Sequence, residues 1–294
     1  TRRWAERSVR TLIKTLLLAN KAERDKFTIP RSVQQSIPIK RIYKDGIWQV
    51  GRKHSKTWRF ADINYEAASD DDRRSIFLSY GGVLNSLPTD AAAKITICNQ
   101  RLNPVDFERT ILMRERGDKL DCYRKEYNHI LLDKMAQSNN LVQEKFITLS
   151  IAQRKIEDTR AYFRRVDGGL AKSFGRLDSG ARPVSNYDRL RILHDFFRPG
   201  EEQYFTFDAA ETIRRGLDFR DLICPDSLTF KAGHFEMGGK VGRVLFLKDL
   251  ASFLKDDMIA ELSDFSRNLM LSIDILPIPT DEAVKEIQLS LIHI

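Results

Sequence analysis

Residues 42–50 read IYKDGIWQV, and this stretch decides the fold class of the chain. An Asp-Gly pair stands between two runs in which apolar residues alternate with polar ones, which is the strongest short signal for a β-hairpin. Residues 57–63, TWRFADI, alternate in the same way and predict a further strand. We therefore expect the folded body to begin near Ile39 with a sheet.

The stretch between these strands, GRKHSKT at residues 51–57, is similar to a phosphate-binding loop. Such a loop needs Gly, four residues, then Gly-Lys-Ser/Thr, so that backbone N–H groups surround the phosphates. Here the spacing is one residue short, and Ser55 replaces the second glycine. A second approximate match at residues 233–241 has its lysine one position late, and its Gly238-Gly239 pair predicts a hairpin turn. Neither stretch predicts nucleotide binding.

The rest of the chain predicts strands and helices in turn. Two helices carry apolar stripes. Residues 70–87 form a helix capped by Ser69 and ended by Pro88, and we expect its stripe to be buried. Residues 118–135 form a helix with apolar residues on one side. Their stripes are Ile76, Phe77, Tyr80, Val83, Leu84 and Leu87, and Leu120, Tyr123, Tyr127, Ile130, Leu131 and Met135. Further helices are predicted at 153–177, 190–197, 250–266 and from 280, and strands at 94–98, 145–151, 228–236, 241–247 and 270–276. This order predicts an α+β fold, with a mixed sheet packed against helices.

Composition is that of a globular protein: the 294 residues are 42% hydrophobic and 31% charged. No apolar run approaches the roughly 18 residues that a membrane-spanning helix needs. The three cysteines, Cys98, Cys122 and Cys224, are too few and too far apart for a disulfide framework or a zinc motif. We expect three buried free thiols in a reducing compartment.

Positive charge is concentrated at the start of the chain. Residues 1–40 hold ten basic and three acidic side chains, which is +7 of the formal net charge of +8. Apolar residues recur there at helical spacing and predict a basic amphipathic arm. Such an arm can pack on its own domain, lie on an anionic membrane surface, contact a partner protein or, less plausibly, bind nucleic acid. The candidate membrane or partner contacts are Arg2, Arg3, Trp4, Arg7, Arg10, Leu12, Ile13, Lys14, Leu16 and Leu17.

Breaks in the pattern predict four segments. Residues 1–38 form the arm and an extended linker with prolines at 30 and 38, residues 39–180 a first α+β subdomain, and residues 181–288 a second α+β section. Residues 289–294, LSLIHI, resemble a translated sequencing adapter, so we expect native sequence to end near Gln288. Because the first residue is Thr1 and the last predicted helix is cut short, we expect a fragment of a longer protein.

Candidate catalytic and metal-binding groups do not form a recognisable site in the sequence. The five histidines include no pair at ligand spacing, so we predict no metal site. His194 and Asp195 are adjacent, and on a helix neighbouring side chains diverge by about 100°, which argues against a catalytic pair. Asp256-Asp257 is expected on a solvated helix face, and Tyr204, Phe205 and Phe207 in the core of a strand. We therefore predict no catalytic residue in this chain.

Several stretches resemble the N-terminal region of the conjugation ATPases of type IV secretion systems (the TraC/TrbE/CagE/VirB-type family), in the form carried by integrative conjugative elements of Gram-positive bacteria. They are SVQQSIPIKRIYKDGIWQVG (32–51), SKTWRFADINY (55–65), RLRILHDFFRPGEE (189–202), ICPDS (223–227), GRVLFLKDLASFLKDDMIAELSD (242–264) and SIDILPIPTDEAV (272–284). The similarity spans residues 32–288 and covers nearly the whole body.

The resemblance implies an α+β N-terminal docking domain in front of an ATP- and Mg-dependent motor domain. The family's nucleotide-binding motifs belong to that motor and match no residue here, so the chain is expected to be inactive alone and to hold no cofactor. It implies docking to other secretion subunits, homo-oligomerisation, and a peripheral position on the cytoplasmic face of the membrane. No DNA contact is expected from this region. The alternative is a free-standing basic nucleic-acid-binding protein, which the pI of about 9.3 suggests.

Overall fold

The computed structural model describes residues 32–63, 65, 67–101, 108, 111–137, 141–152, 155–246, 257–265 and 267–292. Two compact units are present, residues 1–36 and residues 37–294. In the first unit the described part is a short helix, α1 (Val33–Ser36), whose Gln35 N–H donates to Ser32 Oγ over 3.3 Å. The prediction of an extended linker is therefore wrong at α1, because a serine cap starts a helical turn before Pro38. The predicted arm, residues 1–31, lies outside the described residues.

The second unit contains a large and a small antiparallel sheet. The described strands are β1 (Ile39–Ile42), β2 (Trp48–Val50), β3 (Lys53–Phe60), β4 (Ala91–Arg101), β5 (Leu141–Ile151), β6 (Ala181–Pro183), β7 (Leu228–Phe230), β8 (Phe235–Met237), β9 (Lys240–Gly242) and β10 (Leu269–Ile275). The large sheet has the order β1-β2-β3-β5-β4-β10, with β6 also paired to β3, and β7-β8-β9 form the small sheet. Every ladder is antiparallel, so the α+β class is confirmed and the expectation of a mixed sheet is wrong.

Seven helices follow α1 in the described residues. They are α2 (Asp70–Asn85), α3 (Asp121–Gln137), α4 (Ile156–Gly175), α5 (Asn186–Phe197), α6 (Ala209–Arg214), α7 (Asp257–Ser263) and α8 (Thr280–Ile292). Single 3₁₀ turns occupy Glu202–Tyr204 and Phe219–Leu222. No helix of the described part is long and apolar enough to span a bilayer.

The hairpin predicted around the Asp-Gly pair is confirmed. Tyr43 N–H donates to Ile47 O over 2.9 Å and closes the turn between β1 and β2. Gly46 has a φ of 78°, a left-handed conformation that glycine adopts without steric cost. The hairpin brings Trp48 opposite Ser55 of β3 and so starts the large sheet.

Helices cover both faces of the large sheet. One face packs α2 and α4 against β3, β4 and β5 in a cluster that includes Trp58, Ile147, Leu149, Phe163, Leu170 and Phe174. The opposite face carries Trp48, which packs with Leu190 of α5 and with Phe205 and Ile223. Because successive side chains of a strand point to opposite faces, β3 contributes Trp58 to one layer and Ser55 to the other.

The break predicted near residues 179–183 is a strand in the structure. β6 pairs with β3 through Ala181 and Phe60, and β10 pairs with β4 through Leu269 and Asn99. Residues on either side of the predicted segment boundary at 180 therefore share one sheet.

Several predicted elements differ from the observed ones. The strand predicted at 228–236 is two short strands joined by a turn, and β9 ends at Gly242 instead of continuing to residue 247. Phe205 belongs to the core but to no strand, since Glu202–Tyr204 is a 3₁₀ turn and Asp208 caps α6. β10 is only half-buried, and among the described strands it lies at the edge of the large sheet, paired with β4.

The apolar stripe predicted for α2 is buried only at its C-terminal end. Ser69 Oγ accepts from Asp72 N–H over 3.2 Å, which confirms the predicted cap. Val83 and Leu87 are buried, whereas Phe77 and Tyr80 are exposed. Ile76 and Leu84 are half-buried against the core, so the helix contacts the core along part of its stripe while Phe77 and Tyr80 remain in solvent.

Candidate functional site

The lysine of the phosphate-loop-like stretch lies in the middle of β3. Lys56 Nζ donates to Asp167 Oδ2 of α4 over 2.7 Å, and Trp58 Nε1 donates to Asp167 Oδ1 over 2.8 Å. The side chain of Lys56 is 11% exposed. Its ammonium also lies 5.7 Å from the centre of the Trp58 ring.

This geometry assigns Lys56 a structural role. A phosphate-binding lysine stands at the mouth of a glycine-rich loop, with the N–H groups of a helix start around the anion. In β3 the backbone groups of Ser55 and Thr57 are instead used in ladders with β2, β5 and β6. Lys56 is compensated by a carboxylate of its own chain. The strand predicted at residues 57–63 is β3, which begins earlier, at Lys53, and ends at Phe60.

A second polar cluster lies on the opposite face of the same strand. The Arg189 guanidinium stacks on the Trp48 ring at 4.1 Å and donates from Nη2 to Ser55 Oγ over 2.8 Å. Trp48 Nε1 donates to Asn186 Oδ1, and Asn186 Nδ2 donates to Tyr43 O. Burial lowers the pKa of Arg189 to about 9, which leaves the group charged at neutral pH. This cluster fixes the start of α5 on the hairpin.

His194 and Asp195 are in contact, although neighbouring side chains on a helix diverge by about 100°. Nδ1 of His194 lies 2.9 Å from Asp195 Oδ1, and both side chains are buried. Arg191 Nε lies 3.5 Å from the other carboxylate oxygen, and the imidazole lies 4.9 Å from the Phe205 ring. Neighbouring Cβ atoms on a helix point in different directions, but the two side chains are long enough for Nδ1 of His194 to contact the Asp195 carboxylate.

The contact with Asp195 orients the imidazole of His194 but does not by itself form a catalytic triad. A catalytic triad adds a nucleophile within hydrogen-bonding reach of Nε2. In the described ranges, no serine hydroxyl or cysteine thiol is hydrogen-bonded to His194. We interpret the pair as a structural link at the end of α5.

The cysteines are not all buried. Cys98 is buried, Cys224 is half-buried and Cys122 is exposed on α3. Burial, with a smaller contribution from Glu144, raises the pKa of Cys98 to about 12. The expectation of three buried thiols is therefore wrong for Cys122, because it lies on the solvent side of a helix that packs lightly. Among the described residues no group of three potential metal ligands is present.

The helix α3 leaves its apolar stripe in solvent. Leu120, Tyr123, Tyr127 and Ile130 are between 47% and 66% exposed, although their spacing is that of a core-facing helix. No side chain is buried between Asp121 and Met135. This apolar side of the predicted helix is therefore exposed at Leu120, Tyr123, Tyr127 and Ile130, and we name these four residues the α3 stripe.

The start of α3 is nevertheless hydrogen-bonded to the segment before it. Asp121 accepts from Arg116 N–H over 3.0 Å and from Gly117 N–H over 2.8 Å. These backbone hydrogen bonds, aided by Arg124, hold the pKa of Asp121 below its usual value despite partial desolvation. Asn128 is bonded to both the N–H and the carbonyl of Met113. The α3 stripe is thus presented by a helix with a fixed beginning.

The small sheet forms a second exposed apolar surface. Phe230 at the end of β7, and Val244, Leu245 and Phe246 beyond β9, are 76% to 79% exposed. Gly238 and Gly239 have φ values of 53° and 76°, which confirms the predicted hairpin turn between β8 and β9. Met237 is buried, so one part of the small sheet is packed and the other is in solvent.

The predicted arm contacts lie outside the described residues, and so do His293 and Asp256. The exposed surfaces of α3 and of the small sheet were missed in the sequence because periodicity identifies an apolar face but does not identify what covers it.

The chain matches no protein-family model and no curated protein sequence. The resemblance to conjugation ATPases therefore stays a prediction.

Proposed function

We propose that this chain is the N-terminal, non-catalytic docking and oligomerisation region of a conjugative-transfer ATPase of a type IV secretion system. The parent hydrolyses ATP with Mg in a separate motor domain and drives translocation of DNA or protein. The region itself binds no nucleotide, contacts other secretion subunits and its own copies, and lies at the cytoplasmic face of the membrane.

The exposure of the α3 stripe is the observation that carries this proposal. Tyr, Leu and Ile side chains at successive helical positions are typical anchors of helix-mediated interfaces, and aromatic residues are enriched among interface hot spots. Large contiguous apolar surfaces mark interaction sites on soluble proteins. A docking module needs such a surface on a well-ordered element, and α3 begins with the bonded turn at Asp121.

The ion pair between Lys56 and Asp167 supports the same proposal. The lysine and the tryptophan of β3 are both bonded to Asp167. A role in ATP hydrolysis would require Lys56 to leave that carboxylate. This agrees with the proposal that the nucleotide chemistry of the parent belongs to its separate motor domain.

Self-association measured by sedimentation velocity tests the proposal. We expect the chain to form oligomers as its concentration rises, and the double substitution Tyr123→Ser/Tyr127→Ser to raise the dissociation constant about tenfold or more. Tyr204→Ser is the matched control, since Tyr204 is 71% exposed but lies outside the α3 stripe. A wild-type chain that stays monomeric at all concentrations would contradict oligomerisation through this region.

The alternative, a nucleic-acid-binding protein, is distinguished from the proposed function by how its affinity for DNA depends on salt. Binding driven by phosphate contacts falls steeply as salt rises, and here it would depend on the basic residues 1–40. We expect no DNA binding at physiological salt and no ATP hydrolysis by the chain. Salt-sensitive DNA binding would favour the alternative, and ATP hydrolysis would favour an enzyme.

A further inference from the structure

One end of the small sheet combines exposed apolar side chains with cations. We name it the apolar end and define it by Phe230, Val244, Leu245 and Phe246, which are the exposed residues described above, and by Lys231 and Arg243. Arg243 Nε donates to Gly233 O over 3.0 Å, so residue 243 lies beside the turn that follows Phe230. Arg243 and the turn after Phe230 therefore lie at the same end of the small sheet, and residues 244–246 follow Arg243 directly in the chain.

The apolar end has a positive charge that no carboxylate of the described residues compensates. In the described residues neither Lys231 nor Arg243 has a carboxylate within ion-pair distance. Glu236 is the one acidic residue between positions 228 and 246, and its Oε1 lies 3.6 Å from Nε2 of His234. An anionic partner would therefore meet two cations beside four apolar side chains.

The backbone beneath this end is held in place. The Phe235 ring packs against Gly242, where an added Cβ would lie 2.2 Å from the ring. Phe230 lies beside it, with ring centres 6.5 Å apart. Lys231 N–H donates to His234 O over 2.9 Å and closes the turn. The exposed side chains are thus presented by a sheet with its own packing contact.

We propose that the apolar end inserts into a bilayer surface that carries anionic lipid headgroups. Phe, Leu and Val side chains gain free energy on entering the acyl region, while Lys and Arg at the same end remain with the headgroups. This inference rests on the proposed function, because it adds a membrane contact in the body of the chain to the one expected from the arm.

The charge distribution favours a lipid surface over a second copy of the chain. A twofold contact between two apolar ends would place the same patch on both sides of the interface. Lys231 and Arg243 would then face their own counterparts without a compensating acid. A bilayer containing phosphatidylglycerol supplies both the negative charge and the apolar phase.

A tryptophan reporter at the apolar end tests the insertion in the full chain. Phe246→Trp places an indole at this end, and Phe77→Trp is the matched control at an exposed phenylalanine of α2. The variants are mixed with phosphatidylcholine vesicles, with or without phosphatidylglycerol, in which part of the lipid carries brominated acyl chains. The signal of the wild-type chain is subtracted, which removes the contributions of Trp4, Trp48 and Trp58.

We expect bromolipid to quench the indole of Phe246→Trp, and to leave that of Phe77→Trp unquenched, when phosphatidylglycerol is present. The double substitution Lys231→Gln/Arg243→Gln is expected to weaken vesicle binding about fivefold per cation removed. Circular dichroism checks that each variant is folded.

Three results would overturn the proposal. They are vesicle binding without selective quenching at Phe246→Trp, no vesicle binding at all, and dimerisation that Phe230→Ser abolishes while vesicles have no effect. The first would leave membrane contact to another part of the chain, and the last would assign the surface to a second copy. Each can occur whether or not the α3 stripe mediates self-association, so the two proposals fail separately.

Discussion

Lys56 Nζ lies 2.7 Å from Asp167 Oδ2 and so ties the centre of β3 to the middle of α4. The same carboxylate accepts from the indole of Trp58. One helix residue thus satisfies two side chains from the same face of a central strand. The sequence feature most similar to a phosphate site is in this way part of the packing of the large sheet.

Removal of this carboxylate should destabilise the fold. We expect Asp167→Ala to lower the free energy of unfolding by about 2 kcal/mol, because it leaves an ammonium and an indole N–H without their acceptor. This figure is below that for a fully buried pair because the Asp167 side chain is 30% exposed. Urea denaturation measures the change.

An exposed ion pair of the same sheet provides the control. Lys94 lies 3.3 Å from Asp274, and both side chains are largely exposed. We expect Lys94→Ala to change the stability by less than about 0.5 kcal/mol. Equal effects of Asp167→Ala and Lys94→Ala would contradict a structural role for Asp167.

Gly242→Ala should disrupt the small sheet. The new methyl group would lie 2.2 Å from the Phe235 ring, so the ring or the strand must move. We expect a cost of about 1–3 kcal/mol in local stability, measured as faster hydrogen exchange in residues 228–242. Gly233→Ala is the matched control, because no heavy atom lies within 4 Å of the added carbon. Unchanged exchange in Gly242→Ala would show that the ring does not pack there.

The thiols should react at different rates. Cys122 is exposed on α3, whereas Cys98 is buried and its pKa is raised to about 12. Since the thiolate is the reactive form, we expect iodoacetamide at pH 8 to alkylate Cys122 first and Cys98 only after denaturation. Mass spectrometry of the digested protein identifies the site. Rapid alkylation of Cys98 in the folded chain would contradict its burial between β4 and its neighbours.

The start of α3 should resist acid. Hydrogen bonds to the carboxylate from Arg116 and Gly117, with Arg124, lower the pKa of Asp121 from its usual 3.8. Because the folded-state pKa is depressed, the stabilisation is fully present above pH 3.8 and is lost only as the pH falls through the lower folded value. NMR titration of the Asp121 carboxyl should show a midpoint below 3.8.

Substitution of Arg124 separates its contribution to the lowered pKa of Asp121 from that of the backbone N–H donors. Arg124→Gln should move the Asp121 midpoint upward, since the guanidinium donates directly to the carboxylate. Arg114→Gln should leave it unchanged, because Arg114 is an exposed residue outside the bonded turn. A midpoint that does not respond to Arg124→Gln would mean that the backbone donors alone cause the shift.

Local signals in the sequence predicted much of the large sheet. The Asp-Gly turn at Gly46, the Ser69 cap and the Gly238-Gly239 turn were identified because each depends on the conformational preference of a few adjacent residues. Strands β3, β4 and β5 were likewise predicted, although β4 and β5 are longer than expected.

Features set by distant residues were not predictable in the same way. The exposure of Tyr123 depends on what packs against α3, and the sequence pattern of a buried helix does not contain that information. The contact between His194 and Asp195 depends on side-chain rotamers, which helical geometry alone does not determine. The arm at residues 1–31 lies outside the described part, so its predicted contacts stay predictions.

Pairing between β10 and β4 also has a consequence for how the chain folds. Leu269 pairs with Asn99, and Ile275 with Ala93, so the last strand closes a very long loop onto the sheet. Closing long loops slows folding, and an unpaired strand edge can pair with another chain. During synthesis, the hydrogen-bonding edge of β4 stays open until residue 275 has left the ribosome. Nascent chains on one polysome would therefore expose the unpaired edge of β4 at high local concentration. Pairing with β10 covers this edge once the strand has been synthesised.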